Sequence, residues 1–246
     1  MFFNNPIANF AQPIAAAGGF SKNIVTSGLL MYVDAGIAAS NQGGSTWYDL
    51  SGNGYDWTFN NGTAFAGSGA TAYVDFDGTN DFARVTNSTI AQIGSLAACT
   101  YQLTVFPTAR NEEDVFSTNG IGGAGTILLM IYQDSKIRNH LWTNGGIGAP
   151  DNTNGGNVPL STTQGIGGGW NMATPLVYSW RTAPSGFSAV SVTPSGTQPT
   201  STSTALNLGS RDGTGAYYNG RINNLVIYNR LLNDTELQQN FTALTP

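Results

Sequence analysis

The strand-like segment near the C-terminus constrains the fold most, because it is apolar on both faces. The Asn219-Gly220 dipeptide accepts the positive φ of a tight turn, so it should open this strand. Leu225 and Ile227 then point to one side. Val226 and Tyr228 point to the other side. A strand that is apolar on both faces belongs in the middle of a sheet rather than at its edge.

A short helix is predicted directly after that strand. Either Asn233 or Asp234 caps its first turn. With Asn233 as the cap, Glu236 falls three residues later, where the two side chains can bond each other's backbone N–H groups.

A second stretch, from residue 71 to residue 82, has the alternation of a half-buried strand. Together with the turn-rich segment from Trp47 to Gly54, the two stretches resemble the concanavalin A-like, laminin-G-like jelly-roll family. The resemblance covers roughly residues 28 to 244 and implies an all-β sandwich of two antiparallel sheets. It further implies that the first and last strands pair, and that the strands of Val74 and Val226 are antiparallel neighbours.

The middle of the chain contains a predicted hairpin and a long turn-rich segment. Residues 126–133 and 137–143 form the hairpin across Asp134-Ser135-Lys136. Residues 143–169 are rich in glycine and asparagine, and they are predicted to form a long loop.

Composition points away from several classes of protein. Charged residues make up 9% of the chain, well below the roughly 25% of an average domain, which is typical of an external or virion-surface protein. The net charge is −5 and there is no basic cluster, which argues against nucleic acid as a partner. The single cysteine, Cys99, is predicted to be a buried thiol.

No apolar run is long enough to span a membrane, and the first residues lack the positive start of a secretory signal. These features predict synthesis in a host cytoplasm without export. A bacteriophage structural protein that is released by lysis satisfies both this and the surface-like composition.

The N-terminal segment, residues 1–27, is predicted to be an irregular arm followed by the jelly-roll domain, residues 28–246. Four phenylalanines in it expose more apolar surface than a solvated tail should: Phe2, Phe3, Phe10 and Phe20. They are predicted to contact another subunit, either a second copy or a capsid or tail protein. Packing on the sandwich itself and a disordered leader are the alternatives.

The sequence contains no complete catalytic motif. Glucanases on the same jelly roll, of the laminarinase type, carry a Glu-x-Asp-x-x-Glu strand. The nearest match begins at Glu112 and places Ser117 at the second glutamate, so the acid is missing. His140 is the only histidine, and no nucleophile elbow accompanies it. We therefore expect no catalytic residues.

Calcium is the one metal that the resemblance implies, since laminin-G-like domains often hold an ion near their closing strands. The matching positions are Asp81, with Asp77 beside it, and Asn223 in place of an acid. Turns stabilised by these side chains without a metal are the alternative. No cofactor is expected to be required.

Glycan binding is predicted around the turn-rich segment, because aromatic rings stack on sugars and amides or carboxylates bond hydroxyls. The candidate residues are Trp142, Asn144, Asp151, Trp170 and Asn171. Either tryptophan could instead belong to the core.

The sequence thus predicts a non-catalytic bacteriophage virion protein, a head decoration or tail-associated component that displays a lectin-like domain and binds host-surface glycans. A secreted glycan-binding adhesin is the alternative, and a polysaccharide-cleaving enzyme is the third hypothesis.

Overall fold

The computed structural model of the protein describes residues 22–110, 112–119, 122–152, 158–183 and 186–246. The first half of the chain forms β1 (Leu29–Asp34), β2 (Thr46–Trp47), β3 (Trp57–Asn60), β4 (Ala64–Ala66), β5 (Tyr73–Asp77), β6 (Phe82–Val85), α1 (Ser88–Ala91), β7 (Ala98–Pro107) and β8 (Glu113–Thr118). The second half forms β9 (Ile127–Ile131), β10 (Ile137–Thr143), β11 (Gly146–Gly148), β12 (Asp151–Asn152), β13 (Gln164–Asn171), β14 (Leu176–Ala183), β15 (Gly186–Val192), β16 (Leu206–Leu208), β17 (Asn219–Tyr228) and α2 (Asp234–Leu244). Short 3-10 turns span Gly69–Thr71 and Gln92–Ser95.

The strands form two antiparallel sheets that pack face to face. Sheet I has the order β15-β14-β13-β7-β17-β5-β4, with β1 also paired to β17. Sheet II has the order β11-β10-β9-β8-β16-β6-β3-β2, with β12 also paired to β10. The predicted jelly-roll sandwich is therefore confirmed, and so is the β9–β10 hairpin.

β17 lies at the centre of sheet I, as its two apolar faces predict. One edge pairs with β7 along its whole length, and the other pairs first with β5 and then with β1. Ile222 lies opposite Val74, and Val226 lies opposite Tyr32. The strands of Val74 and Val226 are therefore antiparallel neighbours, and the first and last strands of the domain pair, as the resemblance implied.

The Asn219-Gly220 dipeptide is part of β17 and does not form the tight turn predicted for it. Gly220 has a φ of 150°, and a Cβ added there would meet the carbonyl oxygen of Phe106 and the hydroxyl of Tyr218. Glycine is therefore needed at position 220 so that the β17 backbone can lie close to β7, rather than to form a hairpin turn.

Two separate apolar cores explain why both faces of β17 are apolar. Leu225 and Ile227 belong to the main core between the sheets. Val226 and Tyr228 belong to a second core on the outer side of sheet I, which α2 covers. The burial of each side chain on such a surface contributes roughly 1.5–3 kcal/mol.

α2 begins at a capping box, as predicted. Asn233 Oδ1 accepts a hydrogen bond from the Glu236 N–H at 3.0 Å, and Glu236 Oε2 accepts one from the Asn233 N–H at 3.0 Å. Leu237 and Phe241 then pack their side chains into the second core. In the described part of the chain, no helix is long and apolar enough to cross a membrane.

Residues 22–27, which the sequence assigned to the arm, pack on the sandwich. Ile24 and Val25 are buried in the second core. The Val25 N–H donates to Asn240 Oδ1 at 2.9 Å, and the Val25 carbonyl accepts from the Tyr228 hydroxyl at 2.8 Å. The four phenylalanines of the predicted arm, Phe2, Phe3, Phe10 and Phe20, lie outside the described residues.

The glycine-rich end of the predicted long loop is a strand at the middle of sheet I. β13 pairs with β7 on one side and β14 on the other. A Cβ on Gly165 would meet the ring of Phe241, and a Cβ on Gly167 or Gly169 would meet Trp180. The glycines therefore leave room for two large rings on the sheet, which a reading of glycine as a turn residue missed.

Cys99 is fully buried in the main core, and burial raises the pKa of its thiol. The prediction of a buried thiol is confirmed.

Candidate functional site

The outer faces of the two sheets differ. The outer face of sheet I is covered by α2 and residues 22–27, which form the second core. The outer face of sheet II carries polar side chains between apolar ones that point inward: Ala83 and Val85 face the main core, while Arg84 between them faces out. We call this surface the sheet II outer face, and it is the candidate site.

A continuous row of side chains crosses six strands of the sheet II outer face. The backbone register aligns Thr58, Arg84, Asn207, Ser117, Leu128 and His140. Because neighbouring strands lie about 4.8 Å apart, the row is roughly 24 Å long. Thr58, Arg84 and His140 are accessible towards its two ends, whereas Asn207, Ser117 and Leu128 in its middle are buried. A ligand can therefore reach the two ends of the row but not its middle.

Asn207 lies near the middle of this row and has an unused donor. Its side chain is fully buried, and its Oδ1 accepts a hydrogen bond from Arg84 Nε at 2.8 Å. Its Nδ2 has no hydrogen-bond partner among the described residues. An unpaired buried amide donor is costly, so a buried water oxygen is expected beside it.

The row passes a polar cavity of about 380 Å³ at the β3–β6 end. Asp56, Thr58 and Asn60 line one wall of the cavity, and Arg84 and Asn87 line the other. These groups offer both donors and acceptors to a ligand rich in hydroxyls.

Arg211 joins two carboxylates beside the row. Its Nε donates to Asp114 Oδ2 at 2.8 Å and its Nη2 to Asp114 Oδ1 at 3.0 Å. The same Nη2 reaches Glu112 Oε1 at 3.4 Å. Burial raises the pKa of Asp114, and the hydrogen bonds from Arg211 oppose that rise.

An aromatic group lies at the β10 end of the site. The Trp142 and His140 rings meet edge to face, with centroids 5.5 Å apart, and both rings are partly exposed. The Arg138 guanidinium lies 3.8 Å from the centre of the Tyr132 ring. Its Nε lies 3.0 Å from Asp151 Oδ1. Burial lowers the pKa of His140, and Asp151 opposes this shift.

Three of the five residues predicted to bind glycans lie along this end of sheet II. Trp142 faces outward on β10, Asn144 follows β10 and bridges to Thr197, and Asp151 pairs with Arg138. The structure therefore brings Trp142, Asn144 and Asp151 to one side of the sandwich.

Trp170 and Asn171 do not join them, because β13 belongs to sheet I. Trp170 is fully buried in the main core, where its Nε1 donates to the Leu96 carbonyl at 2.9 Å. Asn171 accepts a hydrogen bond from the Ala173 N–H at 2.9 Å in a turn. The prediction that Trp170 stacks on a sugar is wrong: its ring fills the core.

Sequence reasoning missed Arg84, Asn207 and Arg211 as candidate site residues. A signal for the first two was present, since Arg84 lies between Ala83 and Val85 and Asn207 lies between Leu206 and Leu208. This alternation predicts an outward side chain on a half-buried strand. It does not show that the two strands are neighbours.

The three side chains predicted to hold calcium are brought together only in part. Asp77 and Asp81 are close, since Asp81 Oδ2 accepts from the Asp77 N–H at 3.2 Å. Asn223 lies farther along β17 and donates to the Ala72 carbonyl at 3.0 Å. In β17 it is Asn219, not Asn223, that lies opposite Asp77.

Asp81 offers a carboxylate oxygen to an ion. Its Oδ1 is buried without a partner among the described residues, and burial raises its pKa. Asp77 Oδ1 already accepts from the Thr79 N–H at 2.7 Å. The described residues contain no cluster of three acidic, histidine or cysteine side chains that could hold a metal. Because calcium takes six to eight oxygen ligands, the set with Asn223 does not fit, and calcium at Asp77 and Asp81 stays a prediction.

A second cavity of about 740 Å³ lies between sheet I and the start of α2. Tyr178, Trp180 and Leu237 form its apolar side, and Asn233 and Glu236 line its polar side. Both polar side chains are already bonded within the capping box. The cavity therefore offers fewer free polar groups than the sheet II outer face.

No protein-family model matches the sequence, and no curated protein matches it either. Solved structures match the fold. The sialidase of Trypanosoma rangeli in complex with sialic acid has a TM-score of 0.60 at 18% identity, over 89% of this chain and 33% of the sialidase. The binding domain of botulinum neurotoxin DC in complex with rat synaptotagmin II has a TM-score of 0.65 at 10% identity, over 90% of this chain and 52% of that one.

The binding domain of botulinum neurotoxin serotype G is similar in fold, with a TM-score of 0.64 at 12% identity over 86% of this chain and 50% of its own. The chain thus spans a third of the sialidase and about half of the toxin binding domains. At these identities the likeness shows a β-sandwich fold and does not assign a site.

Proposed function

We propose that this protein binds glycans, without cleaving them, through the sheet II outer face. The observation that carries the proposal is the pair of accessible groups on this face, the partly exposed Trp142 and His140 rings at one end and a polar cavity beside Arg84 at the other. Rings that stack on sugars and amides that bond hydroxyls are what glycan recognition requires. One structural neighbour, the sialidase in complex with sialic acid, is in line with this role.

More specifically, we propose that the protein is displayed on a bacteriophage particle. It rests on the scarcity of charged residues, 9% of the chain, and on the four phenylalanines of residues 1–21. In this role the N-terminal residues contact another virion subunit and the sandwich faces outward. Mass spectrometry of purified particles is expected to find the protein at a fixed copy number. Its absence from particles would favour the secreted adhesin.

Cleavage of a polysaccharide is the second candidate, because Glu112 and Asp114 converge on one guanidinium. A retaining glycosidase needs an acid and a nucleophile that both reach the substrate. Here Asp114 is fully buried and bonded through both oxygens to Arg211. This supports the non-catalytic proposal. If the protein released reducing ends from a polysaccharide, and if Asp114→Asn abolished this release, the non-catalytic proposal would be overturned.

Replacing Trp142 with alanine is expected to weaken glycan binding at least tenfold while leaving the fold intact. The ring is partly exposed on the outer face, so its loss removes a stacking surface without opening the main core. Binding to a glycan array, followed by calorimetry with the best oligosaccharide, measures the change.

The matched control is Tyr178→Ala, which removes a partly exposed ring beside the α2 cavity on the opposite sheet. This variant is expected to bind as the parent does. Lost binding in Tyr178→Ala with intact binding in Trp142→Ala would move the site to the α2 cavity.

A further inference from the structure

We infer that the sheet II outer face selects neutral glycans and discriminates against glycans that carry carboxylates. This inference rests on the proposed function and names the class of ligand for that same site. It is argued from the charges on the face. The ligand class differs from that of one structural neighbour, which was solved in complex with sialic acid.

Acidic side chains outnumber basic ones on and around this face. The basic side chains are Arg84, Lys136, Arg138 and Arg211. The acidic side chains are Asp56, Glu112, Asp114, Asp134, Asp151 and Asp212. With four positive and six negative charges, the local field is negative, in the direction of the net charge of −5 of the whole chain.

Every one of the four basic side chains already has an acidic partner. Two of the pairs lie on the β10 side: Lys136 Nζ is 3.1 Å from Asp134 Oδ2, and Arg138 Nε is 3.0 Å from Asp151 Oδ1. Arg211 is held by Asp114 at 2.8 Å.

The fourth pair is at the polar cavity, where Arg84 Nη2 is 3.8 Å from Asp212 Oδ1. A ligand carboxylate would have to displace one of these partners. Because one exposed ion pair would only be exchanged for another, the ligand would gain little affinity from it.

In three of the four pairs the carboxylate is the more accessible partner, whereas Asp114 is buried and its partner Arg211 is 26% exposed. The side chains of Asp134, Asp151 and Asp212 are 37–39% exposed. Those of the basic residues are 19–32% exposed. At these three pairs an approaching ligand therefore meets carboxylate oxygens first. These accept hydrogen bonds from sugar hydroxyls and repel a carboxylate.

The test compares matched pairs of oligosaccharides, each neutral member against the same oligosaccharide extended by sialic acid or a uronic acid. The neutral member of each pair is expected to bind at least tenfold more tightly at low salt. The difference should shrink as salt is added, because salt screens the repulsion.

The variant Asp212→Asn sharpens the test. Asp212 has a φ of 56°, which asparagine adopts readily, so the backbone is not disturbed. The substitution removes one exposed carboxylate and its ion pair with Arg84, whose Nη2 still donates to the carbonyl of residue 212 at 2.7 Å. The affinity for the acidic member, divided by that for the neutral member, should then rise severalfold.

Tighter or equal binding of the acidic members by the parent protein would overturn this inference and leave the proposed function standing. Failure of every neutral and acidic glycan to bind would overturn the proposed function itself. If Asp212→Asn did not raise the affinity for the acidic member relative to the neutral one, the charges of this face would not set the preference for neutral glycans.

Discussion

Replacing Gly167 with alanine is expected to destabilise the protein by about 3 kcal/mol, which lowers the melting temperature by about 6–12 °C for a domain of this size. The new Cβ would meet the carbonyl oxygen of Tyr101 and the Nε1 of Trp180. A backbone carbonyl cannot move aside as the end of a side chain can. β13 would therefore have to separate from β7, which is its neighbour in the middle of sheet I.

Gly215→Ala is the matched control for this substitution. Gly215 has no atom within 4 Å of an added Cβ and its φ is not in the left-handed region, so the change should stay within about 0.5 kcal/mol. Thermal unfolding of the two variants measures the difference. If Gly167→Ala were as stable as Gly215→Ala, the strand packing described for β13 would be wrong.

Replacing Arg211 with methionine is expected to have an effect of similar size, about 3 kcal/mol at neutral pH, because it leaves the Asp114 carboxylate buried and unpaired. Asp114 is fully buried and bonded twice by Arg211. Without the guanidinium, burial and the nearby charge of Glu112 are left, and both raise the pKa of Asp114. Denaturant unfolding at several pH values measures the loss.

The pH dependence of this loss follows from the raised pKa. A carboxyl group whose pKa is higher in the folded than in the unfolded state favours folding as the pH falls through the folded-state value. The deficit of Arg211→Met should therefore be largest at neutral pH and shrink in acid. Adding Asp114→Asn to Arg211→Met should recover part of the stability at neutral pH.

Lys136→Met is the control for losing a basic partner at the surface. Lys136 and its partners Asp134 and Asp151 are each about one third exposed, so the loss should not exceed about 1 kcal/mol. If Lys136→Met and Arg211→Met lost equal free energy of unfolding, the buried Asp114 carboxylate would not need Arg211 for its stability, which would contradict this explanation.

The parts of the fold that the sequence predicted are those that depend on local pattern. The alternation in β17 gave a central strand with two apolar faces, and the spacing of Asn233 and Glu236 gave the capping box. Each of these follows from neighbours a few residues apart. The pairing of the Val74 and Val226 strands needed the family resemblance, because no local pattern gives the order of strands in a sheet.

The glycines of β13 could not be read correctly from the sequence. Clusters of glycine ordinarily mark turns, and only the packing of Trp180 and Phe241 across the strand shows that these glycines make room for rings. The role of Trp170 was hidden for the same reason. Its place in the core depends on β13 being a strand of sheet I.

The candidate site was predicted only in part because it is assembled from distant segments. Trp142 and Asp151 were identified from residue type near a turn-rich region. Arg84, Asn207 and Ser117 come from three strands far apart in the chain, and only the register of sheet II aligns them. Residue types alone do not carry that alignment.

The five tryptophan indole N–H signals in a nitrogen-15 NMR spectrum test glycan binding by the sheet II outer face most directly. Trp47, Trp57, Trp170 and Trp180 are buried, and only Trp142 is partly exposed. Titration with the tightest-binding neutral oligosaccharide from the array should shift the Trp142 signal and leave the other four in place, with Trp142→Phe assigning the signal. If the bound oligosaccharide shifted the Trp180 signal instead, or left the Trp142 signal unshifted at saturation, glycan binding by the sheet II outer face would be contradicted.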